Sequence, residues 1–140
     1  MANTAIVAKM YELFAQGDME AIRRDIFAPN IVWTMPGRHP LSGRMEGVDA
    51  VLAFFGALFK AGIVVEDAHF GELDDGTVVE KHLGHGDVDG KRYYFPTCTS
   101  YGIKDGRVVN VQVHNGDYPT VEEYMYKVFK LKDIPARLAE

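Results

Sequence analysis

The feature that most restricts this chain is Lys91–Ile103, a run of strict two-residue alternation held between two Asp-Gly pairs. Tyr93, Phe95, Thr97, Thr99, Tyr101 and Ile103 fall on one side, and Tyr94, Pro96, Cys98, Ser100 and Gly102 on the other. Successive side chains of a strand point to opposite faces, so this is one long strand with its heavier face inward. Asp-Gly suits a two-residue hairpin turn, in which both central residues take positive φ. Asp89-Gly90 and Asp105-Gly106 therefore join this strand to Thr77–Gly86 before it and Arg107–Asn115 after it. In the last of these, Val109, Val111 and Val113 alternate with Asn110, Gln112 and His114, which places the valines on the inner wall. Residues 63–73 start the run of strands, and Asp74-Asp75-Gly76 is the turn that follows them.

The first half of the chain is helical. Residues 4–16 carry Ile6, Met10, Leu13 and Phe14 on one face, and Gly17 stops the helix. Asp18 caps a second short helix, with Met19, Ile22 and Ile26 inward and Pro29 at its end. Residues 30–59 read as a short strand, a Pro/Gly-rich loop and a third helix, which Asp49 is expected to cap. Val51, Leu52, Phe55, Leu58 and Phe59 form the apolar face of that helix. His39 lies on the loop between Arg38 and Pro40. Trp33, His39, Phe55 and Phe59 then mark either the rim of an apolar pocket or plain core with a loop over it. Near the C-terminus, Thr120 and Glu123 read as a capping box opening a helix over about residues 120–132. Helices followed by a run of strands define an α+β fold, one domain over residues 1–140.

Charge and cysteine content narrow the function. A net charge of −5 argues against a nucleic-acid partner, which would call for a basic face. No apolar run reaches the length of a membrane span, and MANTAIVAKMYELF lacks a basic start followed by an apolar core. Cys98 is the only cysteine, so no disulfide framework or thiolate metal cluster is expected and a cytoplasmic protein is. His82 and His85, three residues apart on a strand, face opposite ways and cannot share a metal; none is expected. Glu80 and His82 share a face, which is either a carboxylate orienting an imidazole base or a solvated polar edge.

Three segments together resemble the nuclear transport factor 2-like superfamily, in its SnoaL-like and ketosteroid isomerase-like branch. They are AQGDMEAI (residues 15–22), WTMPGRHPLSGRMEG from Trp33, and KDGRVVNVQVHNGD (residues 104–117). The resemblance implies a curled antiparallel sheet wrapped around the N-terminal helices as a cone with an apolar pocket. It also implies a homodimer packed through the outer sheet face, where Cys98, Ser100 and Gly102 are small. The site residues of known branches transfer poorly. The tyrosine oxyanion donor of ketosteroid isomerase-like members falls on Met10, with Tyr11 next to it, and their aspartate base falls on Met35. The acidic stretch of SnoaL-like cyclases falls on Asn110–Val113, which has no ionisable group, and no Arg-x-Asp of the epoxide hydrolase type is found.

Dehydratases of the superfamily surround an apolar cavity with histidine and tyrosine. By that resemblance His39, His82, Glu80 and Tyr101, or Tyr93 in place of Tyr101, are the candidate catalytic residues. Trp33, Phe55, Phe59, Thr99, Val111, Val113 and Asn115 are the candidate ligand contacts. The expected function is a cofactor-independent lyase, isomerase or cyclase acting on an apolar ring-containing metabolite by His/Tyr acid–base chemistry. The alternative is a non-catalytic ligand-binding or dimerisation module of the same fold.

Overall fold

The computed structural model describes residues 2–130. In chain order they form α1 (Asn3–Gln16), α2 (Met19–Asp25), β1 (Phe27–Met35), β2 (Gly43–Glu46) and α3 (Val48–Lys60). There follow β3 (Val64–Glu72), β4 (Val78–Val88), β5 (Lys91–Lys104), β6 (Arg107–Asn115) and α4 (Tyr118–Val128). Residues 131 and 132, expected in the last helix, lie outside the described residues. The strands make one curled, unclosed sheet in the order β2-β1-β6-β5-β4-β3. Every neighbouring pair is antiparallel except β1–β6, which is parallel.

Local chemistry explains most of this. Asp89 and Gly90 have φ of 53° and 73°, and Asp105 and Gly106 have 52° and 76°, so both hairpins turn as their sequence demands. Tyr93, Phe95, Thr99 and Tyr101 of β5 are buried, while Tyr94, Pro96 and Cys98 are exposed. Ile6, Val7, Met10, Leu13 and Phe14 bury one face of α1, and Gly17 ends it at φ 72°. The Asp18 side chain accepts the Ala21 N–H at 3.1 Å and caps α2.

Four details depart from the expected pattern. The segment after the Pro/Gly loop pairs with β1 as β2, with Trp33 opposite Met45. α3 starts at Val48 behind Gly47, and Asp49 pairs with Arg23 at 2.6 Å instead of capping. α4 starts at Tyr118, because Asp117 accepts both the Thr120 N–H at 3.2 Å and its hydroxyl at 2.7 Å. Pro119 sits in the first turn, where its missing N–H costs nothing. Lastly, a bulge in the β5–β6 pairing between Gly102 and Ile103 shifts the phase of β6, so Val108 is buried and Val109 only partly so.

The helices cover the inner face of the sheet. α1 packs on β3 and β4, α3 on β1 and β2, and α4 on β4 and β5. Phe27, Trp33, Phe54, Phe55 and Tyr101 interlock at the centre, with Trp33 meeting Phe55 edge-on at 5.0 Å between centroids. Gly86 lets α4 close on β4: a Cβ there would collide with the Tyr124 ring and hydroxyl.

Candidate functional site

Between the inner face of the sheet and the helices lies a pocket of about 740 Å³, counting its open mouth. Helices supply an apolar lining: Met10 and Phe14 from α1, Phe54, Phe55 and Leu58 from α3, Val121 and Met125 from α4. Trp33 and Met35 enter from β1, and the floor is made by β4, β5 and β6.

The polar groups of the floor follow from strand register. Side chains two apart share a face, so the inner faces of neighbouring strands line up in rows across the sheet. Val78, Tyr101, Val111 and Trp33 make one row; Glu80, Thr99 and Val113 the next; His82, Thr97 and Asn115 the third. Glu80 is fully buried. Its carboxylate accepts from His82 Nδ1 at 2.7 and 2.9 Å. With Nδ1–H held this way, Nε2 is the unprotonated nitrogen of the neutral ring, and His82 lines the pocket. This is a carboxylate-oriented imidazole in an apolar cavity.

Two phenols adjoin it. The Tyr11 and Tyr101 hydroxyls are 2.5 Å apart, and the Tyr11 ring stands edge-on to the His82 ring at 5.9 Å. Burial, then the neighbouring Tyr101 and Glu80, holds the Tyr11 phenol well above the ordinary tyrosine range. Burial, then Glu80, does the same for Tyr101, although hydrogen bonds from Tyr11 and Thr99 oppose it. Both phenols therefore stay protonated and serve as hydrogen-bond donors.

Of the residues expected at the site, His82, Tyr101, Trp33, Phe55, Thr99, Val113 and Asn115 line the pocket, and Glu80 stands behind His82. Three others are elsewhere. His39 is buried, but among residues of its own loop and α4. Its N–H donates to Ser42 Oγ, Ser42 Oγ donates back to its carbonyl, and Leu41 N–H donates to its Nδ1. That closed loop turns the ring toward Gly37 and Glu122, not toward the cavity. Phe59 is 44% exposed and packs on Phe14 over Gly17, outside the pocket lining. Val111 is buried in the core between Tyr101 and Trp33 and does not reach the lining.

Tyr11 was not among the expected site residues. The signal was its place beside Met10, one step round the helix from the position where related chains carry a tyrosine. That single step carries Tyr11 from the α1 core face toward β3 and β4, where it meets Phe70, His82 and Tyr101. Two buried donors in the lining have no protein partner, Trp33 Nε1 and Asn115 Nδ2. Among the described residues, no group of three or more His, Cys, Asp or Glu is placed to hold a metal ion.

The fold and the pocket define a cone-shaped α+β protein of the cystatin-like type, and comparison with known proteins gives its family. The SnoaL-like domain profile matches residues 7–111, and the chain belongs to that family. An uncharacterised protein of Mycobacterium bovis is 36% identical over 55 residues, which is 39% of this chain and 41% of that protein. The match thus spans about two fifths of the curated relative. Bal32a, from a soil-derived mobile gene cassette, superposes with a TM-score of 0.80 at 29% identity, over 89% of this chain and 96% of that one. TerC, co-crystallized with polyporic acid, superposes with a TM-score of 0.75 at 19% identity, over 89% and 98%. Among the described residues, no helix is long and apolar enough to cross a membrane.

Proposed function

We propose that the protein is a cofactor-independent SnoaL-like lyase, isomerase or cyclase acting on an apolar ring-containing metabolite. The observation that carries this reading is the bond between fully buried Glu80 and His82, whose ring lines a predominantly apolar pocket. A carboxylate so placed fixes the imidazole tautomer and stabilises the imidazolium that forms when Nε2 takes a proton. His82 is then the base and Glu80 its positioning residue.

In the reaction, His82 Nε2 removes a proton from a substrate carbon. The electron pair left behind moves into an adjacent carbonyl, and the resulting oxyanion is held by the phenol pair of Tyr11 and Tyr101. The imidazolium returns the proton at another carbon in an isomerisation, or to a departing hydroxyl in a dehydration. In a cyclisation the same electron pair closes a ring onto a second electrophile, and the proton goes to the oxygen formed there. The polyporic acid complex of TerC supports a small-molecule ligand for this fold.

A thermal-shift screen of ring compounds selects ligands first, since a compound that binds only the folded chain raises its melting temperature. Hydrogen–deuterium exchange at the α-carbon of a bound bicyclic ketone such as 1-tetralone then reads the base directly. Exchange by the wild type is expected to exceed that by His82→Ala by about a hundredfold or more. Binding with no protein-dependent exchange would establish the non-catalytic binding module instead, and exchange that survives His82→Ala would overturn His82 as the base.

A further inference from the structure

We infer that Asn115 selects ring compounds bearing an acceptor oxygen, and that it holds this oxygen across the sheet from His82. The inference rests on the reading of the pocket as a small-molecule site and adds its ligand class: cyclic ketones, quinones and similar carbonyl compounds, not hydrocarbons.

The cross-strand row fixes the geometry. His82 of β4 pairs with Thr97 of β5, and Thr97 pairs with Asn115 of β6, so the three lie abreast on the inner face. Neighbouring strands are about 4.8 Å apart, which sets His82 and Asn115 roughly 10 Å apart at their Cα atoms. Their side chains thus flank a space one or two fused rings wide.

Within that row only Asn115 has an uncommitted donor. The Thr97 hydroxyl donates to the Phe95 carbonyl at 2.9 Å. Asn115 Nδ2 is buried and has no hydrogen-bond partner, although its residue lines the pocket. A buried donor left unpaired is costly, and the side chains around it from the helices are hydrocarbon, aromatic or thioether. A ligand oxygen that accepts from Nδ2 removes that cost, and a hydrocarbon of the same shape leaves it in place. The oxygen held by Asn115 is distinct from the one the Tyr11–Tyr101 phenols hold beside His82, so a ring compound with two oxygens, such as a quinone, engages both.

The test compares 1-tetralone with tetralin, which has the same bicyclic frame without the oxygen. Trp33 is the only tryptophan of the chain and lines the pocket, so its emission reports binding of both. It stands four residues along β6 from the Asn115 row, roughly 13 Å by the strand rise, and is not part of the contact tested. Asn115→Leu should lower the tetralone-to-tetralin affinity ratio about tenfold, whereas Thr97→Val should leave it unchanged. An unchanged ratio in Asn115→Leu overturns the inference. Should that variant fail to fold, the infrared carbonyl stretch of bound tetralone decides. Because Tyr11, Tyr101 and Trp33 also donate into the lining, a frequency lowered in the wild type and raised toward its alkane value in Asn115→Ala supports the inference, and one equal in the two proteins overturns it. Proton exchange is not needed for either readout, so a protein that binds tetralone through Asn115 without exchanging it keeps this inference and loses the catalytic one.

Discussion

His39 is a buried histidine whose surroundings make it a stability determinant. Its ring packs against Gly37 at φ 99°, where an added Cβ would lie 3.2 Å from His39 Cδ2 and 3.3 Å from Glu122 Oε1. Burial pushes its pKa below the ordinary 6.5, and the nearby Glu122 carboxylate only partly offsets this. The unfolded chain therefore binds the His39 proton more readily than the folded one. This contribution to stability is complete above pH 6.5 and is lost as pH falls from there toward the folded value. His39→Asn keeps an acceptor near Nδ1 for the Leu41 N–H but cannot titrate in this range. Between pH 7 and 5 the unfolding free energy of the wild type should fall relative to His39→Asn, by no more than about 1.4 kcal/mol per pH unit for one proton. Parallel stability curves for the two proteins would show that His39 is not held neutral. Loop chemistry made His39 conspicuous in the sequence, and its contacts with Leu41 and Ser42 are local, whereas the approach of Glu122 from α4, which turns the ring away from the cavity, is one that no local pattern specifies.

At the scale of elements, what was legible was what is local. The alternation of β5, the two Asp-Gly turns and the apolar stripe of α1 each follow from neighbouring residues, and each is found where the residues put it. β2 and the parallel β1–β6 pair were illegible, because both depend on which distant strand lies alongside β1. The row of His82, Thr97 and Asn115 needs strand register as well as alternation, so the residues could be named while their juxtaposition could not. The start of α4 is an intermediate case, in which two capping signals compete and Asp117 prevails over Thr120. Asp117 caps the helix with two bonds, and α4 supplies Val121 and Met125 to the pocket. Asp117→Ala should cost about 1 kcal/mol, seen as a lower urea midpoint with an unchanged slope, and Asp117→Ser should recover most of it. A midpoint unmoved by Asp117→Ala would return the capping role to Thr120.

At the scale of the molecule, no helix among the described residues lies on the outer face of the sheet, since α1, α3 and α4 all pack on the inner side or at its edge. Tyr94 is 47% exposed there, Pro96 and Cys98 are exposed beside it, and Ser100 and Gly102 are small. His85 is buried on the same face, with the Tyr94 ring 6.1 Å from its own and the Glu66 carboxylate 3.0 Å from its Nδ1. We propose that two copies pair across this face about a twofold axis, each presenting β4 and β5 to the other. Small side chains at the centre allow the sheets to approach, and a specific pair needs about 800 Å² from each partner. An arginine in place of Ser100 would set two like charges near the axis with no partner for either, and burying unpaired charge costs several kcal/mol. In equilibrium sedimentation the wild type should behave as a dimer and Ser100→Arg as a monomer. The pocket opens on the other side of the sheet, so tetralone affinity should be the same in both. A monomeric wild type would sink the proposal outright; a Ser100→Arg protein that remains dimeric would move the interface to another face.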